Sequence, residues 1–116
     1  MNITIKHLEN EEFRTASCYY ENDKLIEHVS NSIKTNKVTE VAKINFTKSI
    51  LDINDILNDA YRMTNSIEDN WFENSSINVS KEARKGCRST SKGDIIEIEN
   101  RRWIVCSIGF KEISAR

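Results

Sequence analysis

The chain has no proline, where average usage of about 5% would give about six. Ile, Asn and Lys are abundant instead, a bias towards AT-rich codons that points to an AT-rich microbial or viral genome and says nothing of fold. No apolar run approaches the roughly 18 residues of a membrane span, which excludes a spanning helix. Nor do the first residues, Met1-Asn2-Ile3-Thr4-Ile5-Lys6-His7, contain the apolar stretch of a secretory signal, so a cytoplasmic location is expected. Cysteine is scarce: Cys18, Cys87 and Cys106 are odd in number and have neither disulfide-framework nor metal spacing, which fits a reducing compartment. With a net charge of −1, neither sign dominates. A basic nucleic-acid coat and an acidic mimic of nucleic acid are both excluded. His7 and His28 lack a Glu-x-x-His or His-x-x-x-His partner, so no metal site is expected. No Gly-x-x-x-x-Gly-Lys-Ser/Thr pattern occurs, and no cofactor is implied.

What is present suffices for one core. At 116 residues with 38% hydrophobic and 30% charged content, the chain reads as a single α+β domain over residues 1–116. Two helices are expected. From Asp23, the positions Leu25, Ile26, Val29 and Ile33 follow a 3.6-residue stripe, with Asn22 or Asp23 as cap. Over residues 52–65, Ile53, Ile56, Leu57, Ala60, Tyr61 and Thr64 share a face behind Asp52 as N-cap. Strands are expected at Ile3 and Ile5 and at the alternating Phe13, Thr15, Ser17 and Tyr19. A third would place Val38, Ala42, Ile44 and Phe46 on one face. Residues 94–108 read as a hairpin about Asn100-Arg101, with Cys106 sharing a buried face with Ile104 and Ile108. Gly109 then permits a bend before a last short strand. The assembly expected is a small, mainly antiparallel sheet with two helices on one face. Ile56, Leu57, Ala60, Ile96, Ile98, Trp103 and Val105 should share one core.

Two surface features are candidate binding elements. Residues 1–80 contain eight Lys/Arg against thirteen Asp/Glu, and residues 81–116 nine against five. The basic part centres on 81–92, where Arg84, Arg88 and Lys92 suit phosphates, with Ser89, Thr90 and Ser91 as hydroxyl and backbone donors. The competing reading is a solvated loop that balances the acidic remainder. Trp71-Phe72-Glu73-Asn74 offers two aromatics in a polar stretch, suited to anchoring a protein partner or to covering the second helix. Cys87 lies between Lys85 and Arg88, whose charge would favour a thiolate, yet no base is identifiable in the sequence, and an incidental loop thiol rather than a nucleophile is expected. His7 reads as a surface or lightly packed residue. No catalytic residue emerges, and a binding protein rather than an enzyme is expected.

Three strings occur in order: Thr64-Asn65-Ser66-Ile67, Trp71-Phe72-Glu73-Asn74 and Arg88-Ser89-Thr90-Ser91-Lys92-Gly93-Asp94. Together with the hairpin and Gly109-Phe110, this pattern resembles a group of small proteins carried by bacteriophages and plasmids. It covers residues 56–113. The resemblance implies a mobile-element origin and carries no activity or catalytic residue. The expected function is therefore that of a phage-encoded accessory protein in the cytoplasm of a bacterial host. It would bind a host protein, as in counter-defence or the modulation of host machinery. Two alternatives stand beside it: a nucleic-acid module using Arg84, Arg88 and Lys92, and a small enzyme of undefined reaction. The oligomeric state is left open, a homodimer included.

Overall fold

The computed structural model describes residues 1–46, 52–67 and 69–113. Strand β1 (Asn2–Leu8) leads into helices α1 (Asn10–Ala16) and α2 (Asn22–Lys34), strand β2 (Val38–Asn45) and helix α3 (Ile53–Met63). Strands β3 (Asn78–Val79), β4 (Ile95–Ile98), β5 (Arg101–Val105) and β6 (Phe110–Ile113) follow, with single 3-10 turns at Trp71–Glu73 and Ala83–Lys85. The six described strands form one antiparallel sheet in the order β3-β2-β1-β4-β5-β6. This is the expected α+β class with an antiparallel sheet, but with three α-helices among the described residues rather than two. No described helix is long and apolar enough to cross a membrane.

The helices cover both faces of the sheet, not one. Side chains alternate along a strand, so β4 and β5 present Ile96, Ile98, Trp103 and Val105 to one side and Ile95 and Ile104 to the other. The first set packs with Ile56, Leu57 and Ala60 of α3. The second packs with Ala16 of α1 and with Leu25 and Val29 of α2. A single helical layer would leave Ile95 and Ile104, both wholly buried, in water at a cost of roughly 2 kcal/mol each. All seven residues expected to share a core do so with α3.

Residues 13–19, read as a strand, are helix α1 and its exit turn. Phe13 and Ala16, one turn apart, both face the α2 cluster, while Glu11 and Glu12 occupy the first turn, where negative charge is favoured. An alternation of four residues with only its ends apolar is too short to exclude the helical period. At the third strand, the register runs Ile5↔Ala42 and then Lys6↔Glu40, leaving Val41 as an extra residue. That bulge turns the preceding residues over. Val38 therefore packs with the α2 cluster, while Ala42 and Ile44 pack with α3.

Smaller departures are local. Asp52 is the N-cap of α3, but its side chain makes no capping bond. Helix α2 begins after Glu21, which places Asn22 and Asp23 in its first turn. Ile98 pairs with Arg101, so the hairpin turn is Glu99 and Asn100, with Glu99 at φ 56°. Cys106 is buried as expected, whereas Ile108 is exposed at the next turn.

Candidate functional site

The end of β1, the loop into β4 and the C-terminal end of α3 meet around a buried polar cluster. At its centre Asp94, wholly buried, accepts hydrogen bonds from Leu8 N at 2.9 Å and Ser91 N at 2.8 Å. Both terminal nitrogens of Arg88 also donate to it, Nη2 at 2.8 Å. The guanidinium further donates to Leu8 O and Ser89 O and lies 3.7 Å from the Phe13 ring centroid. A planar fork with a stacked face suits Arg rather than Lys.

Thr90, also wholly buried, donates from Oγ1 to Thr64 Oγ1 at 2.7 Å, and Thr64 donates in turn to Ala60 O at 2.9 Å. Backbone pairing of Thr90 N with Thr64 O reinforces the joint. Ser89 Oγ accepts from Ser66 N at 2.9 Å, and Trp71 Nε1 donates to Arg88 O at 2.9 Å. The strings Thr64-Asn65-Ser66 and Arg88-Ser89-Thr90-Ser91 thus hold one another, with Trp71 closing the joint.

These contacts relocate the expected binding residues. Arg88 and Thr90 face inward. Lys92 donates to Tyr19 O at 2.7 Å. Ser91 serves Asp94 through its backbone. Trp71 is only 3% exposed and belongs to the α3 core, with Phe72 packed against it. Asn74 accepts from Ser76 N in a local turn, and Glu73 is exposed. Arg84 is exposed, with Nη1 3.4 Å from Phe72 O, so the aromatic and basic segments lie side by side.

His7 is the residue that sequence reasoning missed. It is buried, not on the surface, and its Nε2 is 2.8 Å from Thr90 Oγ1 while Nδ1 is 3.5 Å from Cys87 Sγ. The hydroxyl chain assigns its tautomer. Ala60 O can only accept, so Thr64 spends its proton there and Thr90 spends its own on Thr64. Thr90 Oγ1 must therefore accept from Nε2–H, and Asp94 Oδ2, 3.7 Å from Nε2, favours the same form. Nδ1 is left as a bare acceptor facing the thiol. Burial pushes the His7 pKa down to about 4, with Arg88 also lowering it and Asp94 opposing. Burial also raises the Cys87 pKa, outweighing the lowering by Arg88. Neighbouring positive charge therefore does not make Cys87 a thiolate: a neutral S–H is held to a neutral imidazole. Cys87 and His7 line an open cavity of about 580 Å³, with Glu9, Glu12 and Lys37 also in its wall. No group of three or more acidic, histidine or cysteine side chains suited to a metal occurs among the described residues. The signal for this pair was weak because its members are 80 residues apart.

An acid profile follows. His7 binds a proton near pH 6.5 when unfolded and near 4 when folded. Stability from this residue should be complete above pH 6.5 and fall as pH drops towards 4. The loss should total roughly 3 kcal/mol and then level off. Urea unfolding of the wild type and His7→Gln across this range isolates the term as the difference between their profiles. A difference that does not vary with pH would refute it.

No known protein family, curated protein or solved structure matches the chain.

Proposed function

We propose that this chain is a bacteriophage- or plasmid-encoded accessory protein that binds a host protein, modulating a defence system or other host machinery. The observation that carries the reading is an open groove of about 740 Å³ between the end of α3 and the Trp71–Glu73 turn. Met63 and Trp71 line it, and Ile67, 76% exposed, stands at its rim. One exposed isoleucine is ordinary. An exposed isoleucine beside a concave wall that includes the half-buried Met63 is the form of a pocket for a partner's apolar side chain. Exposed Asp69 and Glu73 also line the groove, and its one cation among the described residues, Arg62, is paired with Asp59, which favours a basic flank on that partner. The resemblance of the strings at 64–67, 71–74 and 88–94 to small mobile-element proteins is the basis for the proposed origin. The nucleic-acid alternative loses ground, because Arg88 and Lys92 already have internal acceptors.

The test pairs capture with affinity. Tagged wild-type protein expressed in a host bacterium should co-purify one discrete host protein. With that partner isolated, Ile67→Asp should weaken binding about tenfold or more, while leaving the melting temperature unchanged because Ile67 is exposed. Arg84→Ala should have little effect. Submicromolar, salt-sensitive binding to generic DNA or RNA would overturn the proposal, as would a partner indifferent to both Ile67→Asp and Met63→Asp.

A further inference from the structure

Cys87 differs from the other two cysteines in what its sulfur meets. Cys18 is exposed, and its Sγ is directed at Arg14 O within its own helical turn. Cys106 is buried, with Sγ directed at Ile104 O. Cys87 is half-buried at an open cavity and faces a ring nitrogen that the Thr90–Thr64–Ala60 chain leaves unprotonated. A thiol against a positioned, unprotonated base is the arrangement used for sulfur nucleophiles, the base in turn being oriented by a third group. There is also room to approach. A Cβ placed on Gly86, which lines the same cavity, would meet nothing within 4 Å.

We propose that Cys87 is a covalent-modification site for small neutral or cationic electrophiles, with His7 Nδ1 as its general base and Thr90 as the positioning residue. The charge preference comes from the cavity wall. Glu9, Glu11 and Glu12 stand there against Lys37 and against Arg88, whose charge Asp94 already balances. In the reaction a bond forms between Sγ and the electrophilic carbon, and the leaving group departs with its bonding pair. The thiol proton passes to Nδ1 and then to solvent. Because His7 is neutral above about pH 4 and the Cys87 thiol is raised, proton removal accompanies attack rather than preceding it. This site is separate from the groove beside Trp71 and does not rest on the partner-binding proposal.

Iodoacetamide serves as the neutral probe and iodoacetate as its anionic counterpart, with labelling of the native protein followed at each cysteine by peptide mass spectrometry. A free thiol reacts through its thiolate, so labelling of N-acetylcysteine, added as a reference thiol, should rise about tenfold per pH unit between pH 5 and pH 7.5. Labelling of Cys87 should stay within about threefold over the same range, because the S–H···Nδ1 pair keeps one protonation state throughout. Iodoacetate should be disfavoured at Cys87, relative to Cys18, by about fivefold or more. Thr90→Val should abolish the plateau and Thr90→Ser should restore it, a rescue that a merely structural threonine would not give. His7→Gln should give the same loss. The wild-type profile decides the matter even if a variant fails to fold. A tenfold-per-unit slope at Cys87, or labelling of Cys87 only after unfolding in urea, would overturn the proposal.

Discussion

Asp94→Ala should destabilise the protein by about 3 to 5 kcal/mol, the range for breaking a buried ion pair from one side. The carboxylate is wholly buried and accepts from two backbone N–H groups and both arms of Arg88. Removing it leaves a guanidinium facing the Phe13 ring without a counter-charge, and leaves Leu8 N and Ser91 N without their acceptor. Arg88→Met should cost less, because the surviving carboxylate keeps its backbone donors. Urea denaturation at pH 7 measures both. A loss below about 1 kcal/mol for Asp94→Ala would mean that water reaches the pair and that the buried geometry is wrong.

Gly93→Ala should cost about 4 kcal/mol, from backbone strain of about 1 to 2 and overpacking of about 1 to 3. Gly93 sits at φ +96°, and a Cβ there would lie 2.8 Å from Ala16 Cβ and 2.9 Å from Leu8 Cδ1. Neither neighbour yields easily. Ala16 Cβ is fixed to helix α1, which is tied down by the stack of Phe13 on Arg88, and Leu8 is buried in the same cluster. Gly86→Ala is the control, since φ +145° there carries strain but no clash. It should cost only about 1 to 2 kcal/mol. Thermal melts should separate the two variants by roughly 10 °C or more. Equal melting temperatures would show that α1 can move away from the sheet freely.

Those two residues end the Arg88-Ser89-Thr90-Ser91-Lys92-Gly93-Asp94 string, and they explain why its polarity misled. A run of charged and hydroxyl side chains ordinarily belongs in water. Here Arg88, Thr90 and Asp94 are satisfied by partners from β1 and the C-cap of α3, the most distant 80 or more residues away. Single-sequence patterns report spacing along the chain and are blind to such a partner. The same blindness hid His7, which as a lone histidine on a strand carries no sign that Cys87 and Thr90 will converge on it.

Several features were determined by the sequence itself, because their cause is local. The stripes at Leu25, Val29 and Ile33 and at Ile56, Leu57 and Ala60 suit only a 3.6-residue period, and both segments are helices. The β-branched runs on either side of Glu99 and Asn100 pair as a hairpin. With a buried face on each of these elements, the α+β class and the shared core around Trp103 followed. Tertiary structure decided the rest. Residues 13–19 became a helix because Phe13 and Ala16 had a common cluster to join. The bulge at Val41 reversed Val38, since the ladder with β1 overrides the alternation of an isolated strand. Which face each helix covers, and which polar side chains turn inward, depend on contacts between segments far apart in the chain. Their geometry exists only once the sheet has formed.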